Sequence, residues 1–174
     1  VLPAVLVPYF QKRCRDTDKI LKAMYVAAGI GQIIATRSSI SGAAGGCQAE
    51  IGAASSMAAG ALVYLQGGDC TQIATAAAMA MKNLLGLVCD PVAGLVEVPC
   101  VKRNVIGTVN AMSAADMAMA GITSRIPPDQ VMDAMKEVGD KMDASLRETA
   151  LGGLAHTEEA MKIAGKMHSS HENC

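Results

Sequence analysis

Six cysteines stand in this sequence, at positions 14, 47, 70, 89, 100 and 174, and three of them sit where thiolate chemistry is favoured. Cys47 directly follows Gly45-Gly46, at the expected start of a helix, whose partial positive charge stabilises a thiolate. Cys89 and Cys100 bracket a Pro/Gly segment, CDPVAGLVEVPC, with ten residues between them. Constrained loops of this kind let thiolates converge and let backbone N–H groups hydrogen-bond the sulfurs. If the three held a cubane iron–sulfur cluster, one iron would be left for a non-cysteine ligand, the arrangement that Lewis-acid chemistry requires. Free cysteine is also ordinary core material, and no CxxC pattern sharpens the choice, so spacing alone leaves both readings open. Cys14, between Arg13 and Arg15, and Cys70, next to Asp69, read as incidental.

Few other residues could carry chemistry. The stretch SGAAGG, residues 41–46, offers backbone amides to a phosphate, a carboxylate or a cluster. It fits neither GxxxxGKS/T nor GxGxxG, and no lysine in a comparable motif supports a pyridoxal cofactor; close helix packing explains the glycines equally well. Arg37, Arg103 and Arg147 each adjoin a loop, where an arginine either clamps a carboxylate bidentately or pairs with an acid at a helix end. Glu50 and Asp90 flank two of the cysteines, as supporting residues or as caps. His156, His168 and His171 fall in the last 19 residues and read as solvated.

Helices must position these groups. The chain has 174 residues, 51% of them hydrophobic but only 2% aromatic, with 17 Gly and 12 Met. Such a core gains its burial from closely approaching backbones and small or flexible side chains, which suits Ala- and Met-rich helices and not a sheet. The expected fold is therefore all-α, one compact helical domain spanning 1–174, with Gly/Pro-rich loops and a flexible tail over 167–174. A net charge of −1 gives no basic surface for nucleic acid. The longest uncharged run, Ile51 to Gly68, is interrupted by glycines and serines and reads as a buried helix, so no membrane partner is expected. A large core with free cysteines suggests a reducing, cytoplasmic setting. The chain starts at Val1 with no basic segment before its apolar start, so no signal peptide is visible and a processed or excerpted chain is expected.

The element boundaries follow from caps and breakers. Pro3 and Pro8 predict an extended or broken entry over residues 1–13. Asp16-Thr17-Asp18 opens a helix to about Arg37, and SSISGAAGGCQAEIG reads as a loop opening a helix near Cys47 that stops at Gly67-Gly68. A helix follows from Asp69 to about Leu85, then an irregular loop over 86–104 and a helix from about Val105 to Ala120. Pro127-Pro128-Asp129 starts the next, with Val131, Met132, Met135, Val138 and Met142 on one face. Residues 146–157 read as a loop before a last helix from Glu158 to Lys166.

Four segments carry a resemblance. SGAAGGCQAEIGAASSMAAGAL (41–62) and NLLGLVCDPVAGLVEVPCVKRN (83–104) are similar to signature segments of the iron–sulfur-dependent L-serine dehydratases, above all the alpha chain of the two-subunit form. NAMSAADMAMAGITSRIP and LRETALGGLA extend the likeness, which covers about residues 1 to 155. The resemblance implies a helical catalytic domain with a [4Fe–4S] cluster on Cys47, Cys89 and Cys100. It implies deamination of L-serine to pyruvate and ammonia, the open iron acting as Lewis acid on the serine hydroxyl. Ser41, Arg103 and Asn104 are the expected serine contacts. In some single-chain members a C-terminal cysteine returns to the cluster as a removable ligand; Cys174, 19 residues beyond Ala155, is the matching candidate. The family also implies further residues upstream of the VLPAVL segment, a beta chain or regulatory domain as partner, and an oligomer. Rival readings are a lyase for L-threonine or L-cysteine, an iron–sulfur structural or electron-transfer subunit, and a metal-free helical interaction module.

Overall fold

A computed structural model describes the backbone of residues 1–171 and side chains through residue 167. Among the described residues the fold is all-α, with no strand and a single isolated bridge between Cys89 and Arg147. The helices are α1 (Leu2–Lys12), α2 (Thr17–Arg37), the one-turn α3 (Gly42–Gly45), α4 (Ala53–Gln66), α5 (Cys70–Lys82), α6 (Cys100–Met119), α7 (Pro128–Lys141) and α8 (Glu158–His171).

The uncharged run becomes a π-helical turn, Gln48–Gly52, followed by α4 at the centre of the bundle. Helices α1, α2, α5 and α6 all pack on α4, so α4 is apolar nearly all round, as a fully surrounded helix must be. Small residues let its neighbours come close. A methyl group on Gly60 would lie 2.2 Å from Ile30 Cδ1 of α2, and Ala58, Ala59 and Ala61 are completely buried. Leu62, Val63 and Leu65 add burial of about 1.5–3 kcal/mol each. The two buried serines of α4 satisfy their own hydroxyls on backbone carbonyls. Ser55 donates to Gly107 O (2.8 Å) in α6, and Ser56 Oγ lies 2.9 Å from both Gly52 O and Ala77 O. No described helix is long and apolar enough to cross a membrane.

Most start and stop signals act as expected. Asp16 caps α2 through Lys19 N (3.1 Å), Gly67 ends α4 in the left-handed region, and Asp69 with Gln72 forms a capping box at α5. Pro128 occupies the first turn of α7, whose Val131, Met132 and Met135 are buried.

Four boundaries differ from the sequence expectation. Residues 2–12 are helical despite two prolines: Pro3 falls in the first turn, where a missing N–H costs nothing, and burial of Val5 and Leu6 carries the helix through Pro8. Helix α5 ends at Lys82, short of Leu85. Helix α6 begins at Cys100, because nothing between Pro99 and Val105 interrupts a helix. Cys100, Arg103 and Asn104 therefore sit on a helix and not in the loop. Helix α8 continues past Lys166 to His171.

Candidate metal centre

Cys47 is aimed by a reversal between α3 and the π turn. Gly46 takes φ +75°, and a side chain there would collide with Met142 and approach Leu87 O to 3.0 Å, so the turn needs glycine. Gln48, buried next to it, locks the turn in place. Its backbone N–H donates to Leu87 O (2.8 Å), its Nε2 to Met135 O (2.9 Å), and its Oε1 accepts from Gly86 N (2.9 Å). One glutamine thus ties the Cys47 turn to α7 and to the segment leading into Cys89.

Cys89 is held from the other side by the 144–157 segment. Its N–H donates to Leu146 O (2.8 Å) and its carbonyl accepts from Glu148 N (2.7 Å). Asp90, 2% exposed, extends the same junction: Oδ2 accepts from Leu154 N (2.7 Å) and Oδ1 from Arg103 Nη1 (2.7 Å). Arg103 Nη1 also donates to Val88 O (2.8 Å), so both of its hydrogens are used.

The product of this scaffolding is a convergence of ligand atoms. Cys47 Sγ, Cys89 Sγ and a carboxylate oxygen of Glu50 lie within 4.8 Å of one another, with Cys47 Sγ 3.9 Å from Glu50 Oε2. Gly42 makes the room: an added Cβ would sit 3.0 Å from the Glu50 carboxyl and 3.1 Å from Cys89 Sγ. Both cysteines are buried, while Glu50 is exposed as a residue. Cys100, half-buried at the start of α6, is not in this tight set, yet it faces the same charges.

Electrostatics link all three thiols. Burial is the largest influence on each and raises its pKa, to about 12 for Cys89, where the neighbouring Cys47 and Glu50 charges add to the rise. The Glu50 carboxylate acts on every one of them in the same direction. Arg103 opposes it at Cys47, through a hydrogen bond and its charge, and at Cys100 through charge alone. Burial works against the Arg103 cation, but Asp90 and Cys47 outweigh it and its pKa is raised. The Glu50 carboxyl is itself shifted up, by burial first and then by Glu148. Burial thus favours the thiol over the thiolate at all three cysteines, and metal binding works in the opposite direction.

The other candidate residues fall elsewhere. Arg37 pairs with Asp133 of α7 through Nε (3.2 Å) and Nη2 (2.7 Å), the helix-end role. Asn104 Nδ2 donates to Cys100 O (3.1 Å), and its Oδ1 accepts from the Val1 nitrogen (3.1 Å). Ser41 precedes α3 without capping it through its side chain. Arg147 meets Cys89 across the isolated bridge. Exposed Cys70, half-buried Cys14 and exposed His156 have no place in the convergent set. Cys174 and the His168 and His171 side chains lie outside the described residues. Sequence reasoning left Glu50 as support or cap. The spacing of Cys47 and Glu50 at i, i+3 was the available signal for a shared face.

The description of the family model that matches residues 1–155 is serine dehydratase alpha chain. The chain belongs to that family. It is 53% identical over 167 residues to the probable L-serine dehydratase alpha chain of Bacillus subtilis (strain 168), covering 96% of this chain and 56% of that protein. It is 54% identical over 162 residues to the probable L-serine dehydratase alpha chain of Latilactobacillus sakei, 93% of this chain and 78% of that one. The L-serine dehydratase alpha chain of Peptoniphilus asaccharolyticus is 48% identical over 163 residues, 94% of this chain and 56% of its own length. The chain thus spans about half the length of the Bacillus and Peptoniphilus relatives. Within this serine dehydratase alpha-chain segment, the donor set suits soft metals: two buried thiols converge beside a space that a side chain at Gly42 would fill, and a third thiol shares their charged neighbours.

Proposed function

We propose that this chain is the cluster-holding portion of an enzyme that dehydrates and deaminates L-serine to pyruvate and ammonia, with Cys47, Cys89 and Cys100 holding a [4Fe–4S] cluster. The observation that carries the reading is the convergence of the Cys47 and Cys89 sulfurs at the space opened by Gly42, with Cys100 facing the same Arg103 and Glu50. Bound there, the cluster supplies a Lewis-acidic iron that makes the serine hydroxyl a competent leaving group.

The chain's own residues hold and tune that site. Asp90 fixes Arg103, and the guanidinium acts toward the thiolate of Cys47, opposing burial in part. Asn104 steadies the first turn of α6 through the Cys100 carbonyl, and so acts on the ligand's backbone. Ser41 directly precedes Gly42, and on this reading its hydroxyl is a contact for the serine carboxylate. Arg103 has used Nη1 internally, so any contact it makes to that carboxylate runs through Nη2 or Nε. Cys174 is the candidate removable ligand of the resting site. We read the whole chain as one helical unit, the C-terminal portion of a larger catalytic domain, acting with a beta chain or regulatory domain in an oligomer. Free thiols at Cys14, Cys47, Cys70, Cys89 and Cys100 fit a reducing, cytoplasmic setting.

The test is anaerobic reconstitution of the complete alpha chain with its partner, followed by iron and sulfide counting and pyruvate release from serine. Cys47→Ser, Cys89→Ser and Cys100→Ser each lose cluster iron and activity, while Cys14→Ser and Cys70→Ser keep both. Full iron content in any of the first three rejects the ligand set.

A further inference from the structure

The spacing of the convergent atoms has a meaning of its own. In a tetrahedral site with Zn–S bonds of about 2.3 Å and Zn–O bonds of about 2.0 Å, two sulfurs are about 3.8 Å apart and a sulfur and an oxygen about 3.5 Å. Cys47 Sγ and Glu50 Oε2 are 3.9 Å apart, and these two with Cys89 Sγ all fall within 4.8 Å. A cubane cluster puts each thiolate on a different iron, which spreads the sulfurs beyond the edges of one tetrahedron. The arrangement closes around a single ion, and Cys100 is outside it.

We infer that Cys47 Sγ, Cys89 Sγ and the Glu50 carboxylate form a mononuclear site for a thiophilic divalent cation of the zinc, cadmium or cobalt class. Binding converts two thiols to thiolates and releases two protons, with no change in oxidation state. Two thiolates and a carboxylate leave the fourth tetrahedral position to water, and of the three residues Glu50 is the exposed one. Gly42 is part of the site because a methyl group there meets both the carboxyl and the Cys89 sulfur. The ion and a cluster would need the same two sulfurs, so occupancy by one excludes the other. Zinc held here blocks cluster assembly, and Cys100 is the residue that tells the two sites apart.

Cobalt(II) titration of the complete alpha chain, purified anaerobically and stripped of iron, tests this. The expected result is saturation by a single ion, with a near-ultraviolet thiolate-to-cobalt charge-transfer band and tetrahedral visible bands that zinc erases. Cys47→Ser and Cys89→Ser each lose about half or more of the charge-transfer intensity. Glu50→Gln raises the cobalt Kd roughly tenfold or more. Cys100→Ser and Cys70→Ser leave the titration unchanged, and far-UV circular dichroism checks that each variant is folded. Loss of the band in Cys100→Ser equal to that in Cys89→Ser overturns the site, as does an unchanged Kd in folded Glu50→Gln. The cluster reading fails separately: a Cys100→Ser chain that keeps full cluster iron rejects that reading and leaves the single-ion site standing. Cobalt that never gives the charge-transfer band rejects the single-ion site and leaves the cluster reading standing.

Discussion

Replacing Gly153 by alanine drives a methyl group into the buried junction that holds Cys89 in place. The added carbon would lie 2.4 Å from Asp90 Oδ2, 2.9 Å from its Cβ and 3.0 Å from its Cγ, so the whole carboxylate must move. Asp90 has little freedom to do so, pinned by Arg103 Nη1 and Leu154 N, each at 2.7 Å. Gly153 also has φ +58°, in a loop where Glu148 and Ala150 already occupy the left-handed region. The backbone term costs about 1 kcal/mol. Displacing a packed side chain adds about 1–3 kcal/mol. The sum is about 2–4 kcal/mol, a melting-point drop of about 4–16 °C for a unit of this size. Gly29→Ala is the matched control: it meets nothing within 4 Å in an exposed stretch of α2. It should stabilise by about 0.5–1 kcal/mol. Thermal melts of the complete alpha chain measure the difference. Hydrogen exchange locates it, because the Leu154 amide should lose protection while the amides of α4 keep theirs. A loss below about 1 kcal/mol with Leu154 still protected would show that Asp90 does not clamp this junction.

Two other substitutions separate stability from site chemistry. Gly42→Ala gains helix propensity but crowds Glu50 and Cys89 at 3.0–3.1 Å, so stability should change by less than about 1 kcal/mol while reconstituted iron falls; unchanged iron content would mean that the opening is not used. Gln48→Leu removes the bonds from its Nε2 to Met135 O and from Gly86 N to its Oε1, at about 0.5–1.5 kcal/mol each, and urea unfolding with exchange at the Gly86 amide reads the loss.

Much of this fold could be read from local chemistry. The caps at Asp16 and Asp69, the glycine stop at Gly67 and the proline start of α7 depend on neighbours within a few residues, and each acts as its residue type dictates. Proline at position 8 and the start of α6 at Cys100 were not legible, because burial of Val5 and Leu6 outweighs a proline penalty and because a loop's end depends on where the chain must go next. For the site, the sequence marked Cys47 and Cys89 through their glycine and proline contexts, and it placed Glu50 near the first of them.

Residue types and spacing alone determined that this chain is helical, that its core is built of small side chains, and that Cys47 and Cys89 stand in glycine- and proline-rich segments. The meeting of those segments was decided in three dimensions. Cys47 and Cys89 are separated by α4 and α5, and they converge because Gln48 ties one turn to Gly86 and Met135 while Leu146, Glu148 and Leu154 hold the other from a segment more than fifty residues downstream. Local propensity cannot encode such hydrogen bonds, since each partner is an ordinary backbone group until packing brings it within reach. The same holds for Arg103, whose charge serves Cys47 only because Asp90 and Val88 fix its guanidinium there.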